Sequence, residues 1–228
     1  MRKTFIFLLL IPVVFLVSDF SRASYIGVPL GDSELLPELQ LKSGNLLKEA
    51  IILPEGKFDK EEAAKIILRI DQLPTSVLSE IQKNHIKIIL FTGKLTDQPY
   101  ADHLEGQVPR GYPDSILWDD LPGAGGTHHV LVKIGYSEKG RGHGSVNLEY
   151  HELAHSLHRL VFYDDTTNQQ ITQTWKQEAD SLFPSNDYFL HYKEEFFAEC
   201  FAYYFYSKET RQQLAKKAPK MYTFLESL

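Results

Sequence analysis

Two histidines four residues apart, with a glutamate after the first, constrain this 228-residue chain more than any other feature: "HELAH", His151, Glu152 and His155. On an α-helix, residues four apart lie on one face, about 6 Å apart along the axis. The spacing therefore predicts two imidazoles directed at one ion, with Zn–N bonds of about 2.0–2.1 Å. Glu152, one residue on, points aside from the ligands yet stays close enough to take a proton from a water at that ion. The flanking sequence supports a helix, because Val146, Tyr150, Leu153, Leu157 and Val161 form an inward apolar stripe with the histidines on another face.

Two imidazoles need a third protein ligand. His158 shares their face but lies about 10 Å along the axis from His151, too far to share one ion. The longer signature with a third histidine is excluded, since His158 and Val161 occupy the positions of its glycine and last histidine. Downstream, "YKEEFFAECFAYYFY" reads as a helix with Glu195, Glu199 and Ala202 on one face and aromatics over most of the rest. Buried carboxylates are costly unless paired or bound to a cation. Glu195 is therefore expected as the third ligand, and Glu199, one turn on, as acceptor for a ligand histidine's N–H. The competing reading pairs these carboxylates with Lys193 or Arg159. Glu194, one position off, suits a salt bridge better than the metal.

At the N-terminus, Arg2 and Lys3 precede an apolar run from Phe5 to Val17, and small residues follow at Ser21 and Ala23. This reads as a secretory signal peptide, residues 1–23, too short to span a bilayer comfortably, so no stable membrane insertion is expected after cleavage. Removal of Arg2, Lys3, Arg22 and Asp19 leaves 21 basic and 29 acidic residues, a net charge of −8. That disfavours a nucleic-acid partner, which needs a basic face. The single cysteine, Cys200, excludes an internal disulfide and reads as a small buried hydrophobe.

Residues 24–47 lack periodicity and are expected to form an extended lead-in or tail. "EAIILP" (49–54) reads as a short buried strand, and Asp59 as the cap of a helix with Ala63, Ile66, Ile67 and Ile70 inward. Thr75 is expected to cap a second helix bearing Val77, Leu78 and Ile81. Strands are expected at 85–91 and 128–136, the latter with Val130, Val132 and Ile134 on one face. Between them, 93–128 is loop-like, rich in glycine and proline yet anchored by Tyr112 and Trp118. Helices follow from Thr167 to Leu182 and from near Tyr192 through Tyr206. The fold class is α+β, a small N-terminal α/β subdomain with a short sheet and a mainly helical C-terminal half, forming one domain over 48–228 with a cleft between the halves. Gly125 and Gly126 suit close backbone approach, and an extended peptide is expected to add to the edge of the 128–136 strand.

"YHELAHSLH" followed some forty residues later by "YKEEFFAECFAYYFY", with "ILPEGKFDKEEA", "FTGKLTD", "WDDLPGAGG" and "IGYSEKGRGHGSVNLE" upstream, resembles the secreted bacterial Pro-Pro endopeptidases. These are zinc peptidases related to the catalytic domain of anthrax lethal factor, and the resemblance spans roughly residues 50–228. It implies a zincin-like metallopeptidase domain holding one zinc ion on His151, His155 and Glu195, with Glu152 as general base. It implies further that Tyr188 steadies the oxyanion and that Glu199 supports a ligand histidine. Arg110 stands where a family lysine pairs with the residue matching Glu194, and Tyr112 where a tryptophan lines the proline pocket in some members. Both departures bear on the residues preferred around Pro-Pro, and Lys193 replaces a proline of the best-known member. His143 matches a family histidine near the cleft; a solvent-facing loop histidine is the alternative. The implied partner is a proline-rich protein substrate, such as a bacterial surface or adhesion protein. The competing readings are a toxin-type peptidase with another protein substrate, and a catalytically silent surface-binding module.

Overall fold

A computed structural model of the protein describes residues 27–228; the expected signal peptide lies outside the described residues. The chain opens with strand β1 (Val28–Pro29), two short 3-10 turns and helix α1 (Gly44–Leu47). The expected lead-in is thus not a tail. Leu30, Leu35 and Leu47 are buried in the main core, and the Asp71 carboxylate receives the backbone N–H groups of Lys42 (2.7 Å) and Ser43 (2.8 Å).

Strand β2 (Ile51–Leu53) leads through helices α2 (Lys60–Ile70) and α3 (Thr75–Lys83) to β3 (Lys87–Phe91). Asp59 caps α2 by accepting from the Glu62 N–H at 3.0 Å, and Ala63, Ile66, Ile67 and Ile70 form its buried face as expected. Thr75 does not cap α3. It is the first helical residue, and Pro74 holds the cap position without a side-chain bond.

The loop-like region resolves into 3-10 turns at Leu95–Asp97, Asp102–Leu104 and Trp118–Asp120, then a two-residue strand, β4 (Gly123–Ala124), before β5 (His129–Lys133). It is ordered by a second core, in which Leu95, Ala101 and Leu121 cover Ile52, Ile89, Phe91 and Leu131. The sheet order is β1-β2-β3-β5-β4, with β2, β3 and β5 parallel and β1 and β4 antiparallel to their neighbours. Val130 and Val132 face the main core while Leu131 faces the second, so β5 is buried on both faces, as a parallel strand under two layers must be. The outer edge of β5 is therefore taken up in part by the protein itself. β4 pairs there, Gly123 against Val132 and Ala124 against Leu131, and among the described residues β4 is the edge strand on this side of the sheet, with β1 at the other.

The second half is helical: α4 (Leu148–Leu160), α5 (Asp165–Leu182), α6 (Asp187–His191), α7 (Lys193–Tyr206), α8 (Lys208–Lys217) and α9 (Pro219–Glu226). Asn147 caps α4 by accepting from the Tyr150 N–H at 3.0 Å. Val146 precedes the helix and Val161 ends it, so the expected stripe narrows to Tyr150, Leu153 and Leu157, joined by buried Leu148 and Ala154. Helix α7 packs along α4 with Phe196, Phe197, Cys200 and Phe201 fully buried.

One ion pair ties the halves together beside the site. Glu149, in the first turn of α4 and fully buried, accepts from Arg69 Nε of α2 at 2.5 Å, and Tyr150 Oη donates to the Arg69 carbonyl at 2.5 Å. Removing one member of such a pair strands a buried charge. Arg69→Met is expected to cost about 3–5 kcal/mol of stability, measured by urea denaturation.

Candidate active site

Helix α4 presents His151 and His155 one turn apart, and α7 presents Glu195 opposite them. His151 Nε2, His155 Nε2 and Glu195 Oε2 form a triangle with each side 3.2 Å. Four ligands tetrahedrally placed about 2.0–2.1 Å from one zinc ion would be about 3.3 Å apart. The triangle thus has the dimensions of one face of that tetrahedron. Among the described residues it is the one group of three or more such side chains able to hold a metal.

The charges fit a cation as well. Burial alone would lower the His151 imidazole, but hydrogen bonds with Glu195 and Glu199 reverse this and raise it. Burial alone would raise Glu195, yet its contacts with His151 and His155 hold it well below the carboxylate range. The pocket therefore demands positive charge between imidazoles and carboxylate, which a divalent ion supplies while leaving both rings neutral. Glu199 accepts from His151 Nδ1–H at 3.0 Å and from the Val146 N–H at 2.9 Å, so it fixes the ring tautomer that turns Nε2 towards the triangle. The rival pairing is absent. Lys193 donates to Asn168 Oδ1 (2.6 Å) and Thr172 Oγ1 (3.0 Å) instead.

The trio lies in a cleft of about 770 Å³. Glu152 lines it beside the triangle, and burial raises its carboxyl, opposed by the two histidines. Tyr188, on α6, lines it as well. Burial and the Glu195 carboxylate push its phenol far up, so it remains a hydrogen-bond donor. Arg110 pairs with Glu194, lies 3.8 Å from Glu195 Oε1 and sits over the Tyr192 ring at 4.3 Å. Tyr112 meets Tyr188 edge-on at 5.9 Å. Gly111 between them has φ +81°, and a Cβ there would come within 2.9 Å of the Tyr188 ring. His143 is part-buried in the cleft wall rather than facing solvent, its Nε2–H donating to the Tyr136 carbonyl at 2.8 Å.

Gly125 also lines the cleft, but its close approach is to the protein itself. A Cβ there would fall 2.0 Å from the Glu152 carbonyl oxygen. The glycine lets the end of the sheet rest on α4, where the Gly126 N–H donates to Ser156 Oγ at 3.0 Å.

The family described as anthrax toxin lethal factor, N- and C-terminal domain, matches residues 38–228. This chain belongs to that family. It is 39% identical over 183 residues to a Pro-Pro endopeptidase of Clostridioides difficile strain 630, covering 80% of this chain and 82% of that one. It is 37% identical over 185 residues to a Pro-Pro endopeptidase of Paenibacillus alvei, covering 81% and 85%. The solved structure of Pro-Pro endopeptidase PPEP-2 from Paenibacillus alvei superposes with a TM-score of 0.74 at 37% identity, over 80% of this chain and 98% of that one. The likeness extends to the mixed helix–sheet fold.

Sequence reasoning missed Tyr192, Ser156 and helix α6. Trp175 Nε1 donates to the Phe189 carbonyl at 2.9 Å and so anchors α6. Its signal was the cap-type residue Asn186 ahead of Tyr188, too short a cue for a five-residue helix. His158 packs on Phe197 at 5.1 Å, and burial, with Lys193 and His155 nearby, lowers it from 6.5 to about 4. As pH falls the unfolded chain binds this proton first, so stability is lost from about pH 6.5 towards about pH 4. His158→Phe is expected to flatten that part of the profile, read as the urea midpoint against pH.

Proposed function

We propose that this chain is a zinc metalloendopeptidase that hydrolyses the peptide bond between two prolines in proline-rich proteins. The observation that carries this reading is the 3.2 Å triangle of His151, His155 and Glu195 beside Glu152 and Tyr188, in a chain whose curated relatives are named Pro-Pro endopeptidases. The apolar N-terminal run after Arg2 and Lys3 supports export, and bacterial surface or adhesion proteins are the proposed substrates.

His151, His155 and Glu195 hold the ion, which when bound supplies a Lewis acid and lowers the pKa of water. The residues of the chain then divide the proton work. The Glu152 carboxylate takes a proton from the attacking water and delivers it to the proline nitrogen as the C–N bond breaks. That nitrogen carries no hydrogen in the substrate and leaves as a secondary amine, so the delivered proton is what makes it a viable leaving group. The Tyr188 hydroxyl donates to the oxyanion that forms on the scissile carbonyl. Glu199 keeps His151 in the tautomer the site requires.

Proline lacks an N–H and holds φ near −65°, so it cannot form a ladder bond at its own position. Recognition must rely on flat walls and on bonds to flanking residues. Tyr112, Trp118 and Tyr188 line the cleft as such walls, and the open edge of β4 offers flanking bonds. The Arg110–Glu194 pair holds the loop bearing Tyr112 against the start of α7.

Two outcomes are expected. Glu152→Ala retains one zinc per chain by metal analysis but loses about 10²–10⁴-fold in turnover of a Pro-Pro peptide, followed by mass spectrometry. Wild-type cuts scattered without regard to proline would contradict the proposed specificity. Glu199→Ala is expected to weaken zinc affinity about 10–100-fold in competition with a chelator.

A further inference from the structure

Two cations that the reaction above does not use line the cleft, Arg159 and Lys193. Arg159 lies one turn past His155 on α4, about 6 Å further along the axis, and lines the cleft. Lys193 opens α7 and lines the same cleft, its ammonium held by the neutral oxygens of Asn168 and Thr172. Neither forms an ion pair among the described residues. Glu194, the neighbouring acid of Lys193, is engaged by Arg110, and Asp164 turns to cap α5 at the Thr167 N–H. No other carboxylate lining this cleft lies outside the metal triangle and Glu152.

We propose that this part of the cleft is a subsite for an acidic side chain of the substrate. The proposal rests on the endopeptidase reading and deepens it. An extended peptide advances about 3.3 Å per residue, so a group opposite Arg159 belongs to a residue two to three positions from the scissile bond. Arg159 offers a planar fork for a carboxylate, and Lys193 a fixed ammonium already anchored by two neutral partners, so little further ordering is needed when an anion arrives. Tyr163, 70% exposed, lines the same cleft, so this part of it is open to solvent.

The test uses zinc-loaded protein and peptides containing one Pro-Pro bond, blocked at both ends, with Glu, Gln or Lys placed in turn at each of three positions on either side. At one position kcat/KM is expected to favour Glu over Lys by about tenfold, and the ratio falls as salt rises from about 50 to about 500 mM. Arg159→Ala shrinks the ratio and Arg159→Glu inverts it, while Lys193→Met lowers it without inversion. The same ranking is expected in the Kd values of these peptides for Glu152→Ala, measured by calorimetry. Ratios within twofold at all positions, or unchanged in Arg159→Glu, would overturn the subsite while leaving Pro-Pro cleavage intact. The same peptides with a free C-terminus form a second set, and a gain confined to that set would also overturn the subsite, by assigning the cations to a terminal carboxylate. Peptides neither cut nor bound would sink the endopeptidase reading and the subsite together.

Discussion

The site depends on two helices meeting with opposite chemistry on their facing sides. Helix α4 brings two imidazoles and α7 two carboxylates, and both helices are otherwise packed in apolar core, with Leu153, Leu157, Phe197 and Phe201 fully buried. Neither pair is tolerable alone. Two buried carboxylates without a cation would repel each other, and two imidazole nitrogens 3.2 Å apart cannot both accept. The apolar packing of α4 on α7 enforces their meeting, and the charge balance of the meeting calls for a divalent ion. Glu199 extends the constraint, since it binds both the His151 ring and the backbone entering α4.

The rest of the fold positions this pair. The buried Arg69–Glu149 contact fixes the first turn of α4 against α2, just ahead of His151. Gly125 brings the end of the sheet onto the Glu152 carbonyl, which is why the catalytic candidate and the open edge of β4 share one cleft. Trp175 holds α6 and hence Tyr188.

The metal-binding candidates were legible in the sequence because helical periodicity converts spacing into direction. His151 and His155 share a face by arithmetic, and Glu195 and Glu199 stand out as carboxylates in an aromatic helix that has nowhere polar to turn. The packed lead-in was not legible, because Leu30, Leu35 and Leu47 reach the core without any period. Nor was the pairing of β4 with β5, since two residues carry no strand pattern. At Gly125 the missing side chain signals a close approach but not which backbone approaches. Tyr188 was legible through family resemblance alone, because one tyrosine among twelve has no local signature.

The most direct test of this account is X-ray absorption at the zinc edge of the zinc-loaded protein, with metal stoichiometry from the same sample. The account predicts one four-coordinate ion per chain, with two imidazoles and light oxygen donors at about 2.0–2.1 Å. A spectrum with fewer than two imidazoles, with six oxygen neighbours, or with substoichiometric metal would contradict it.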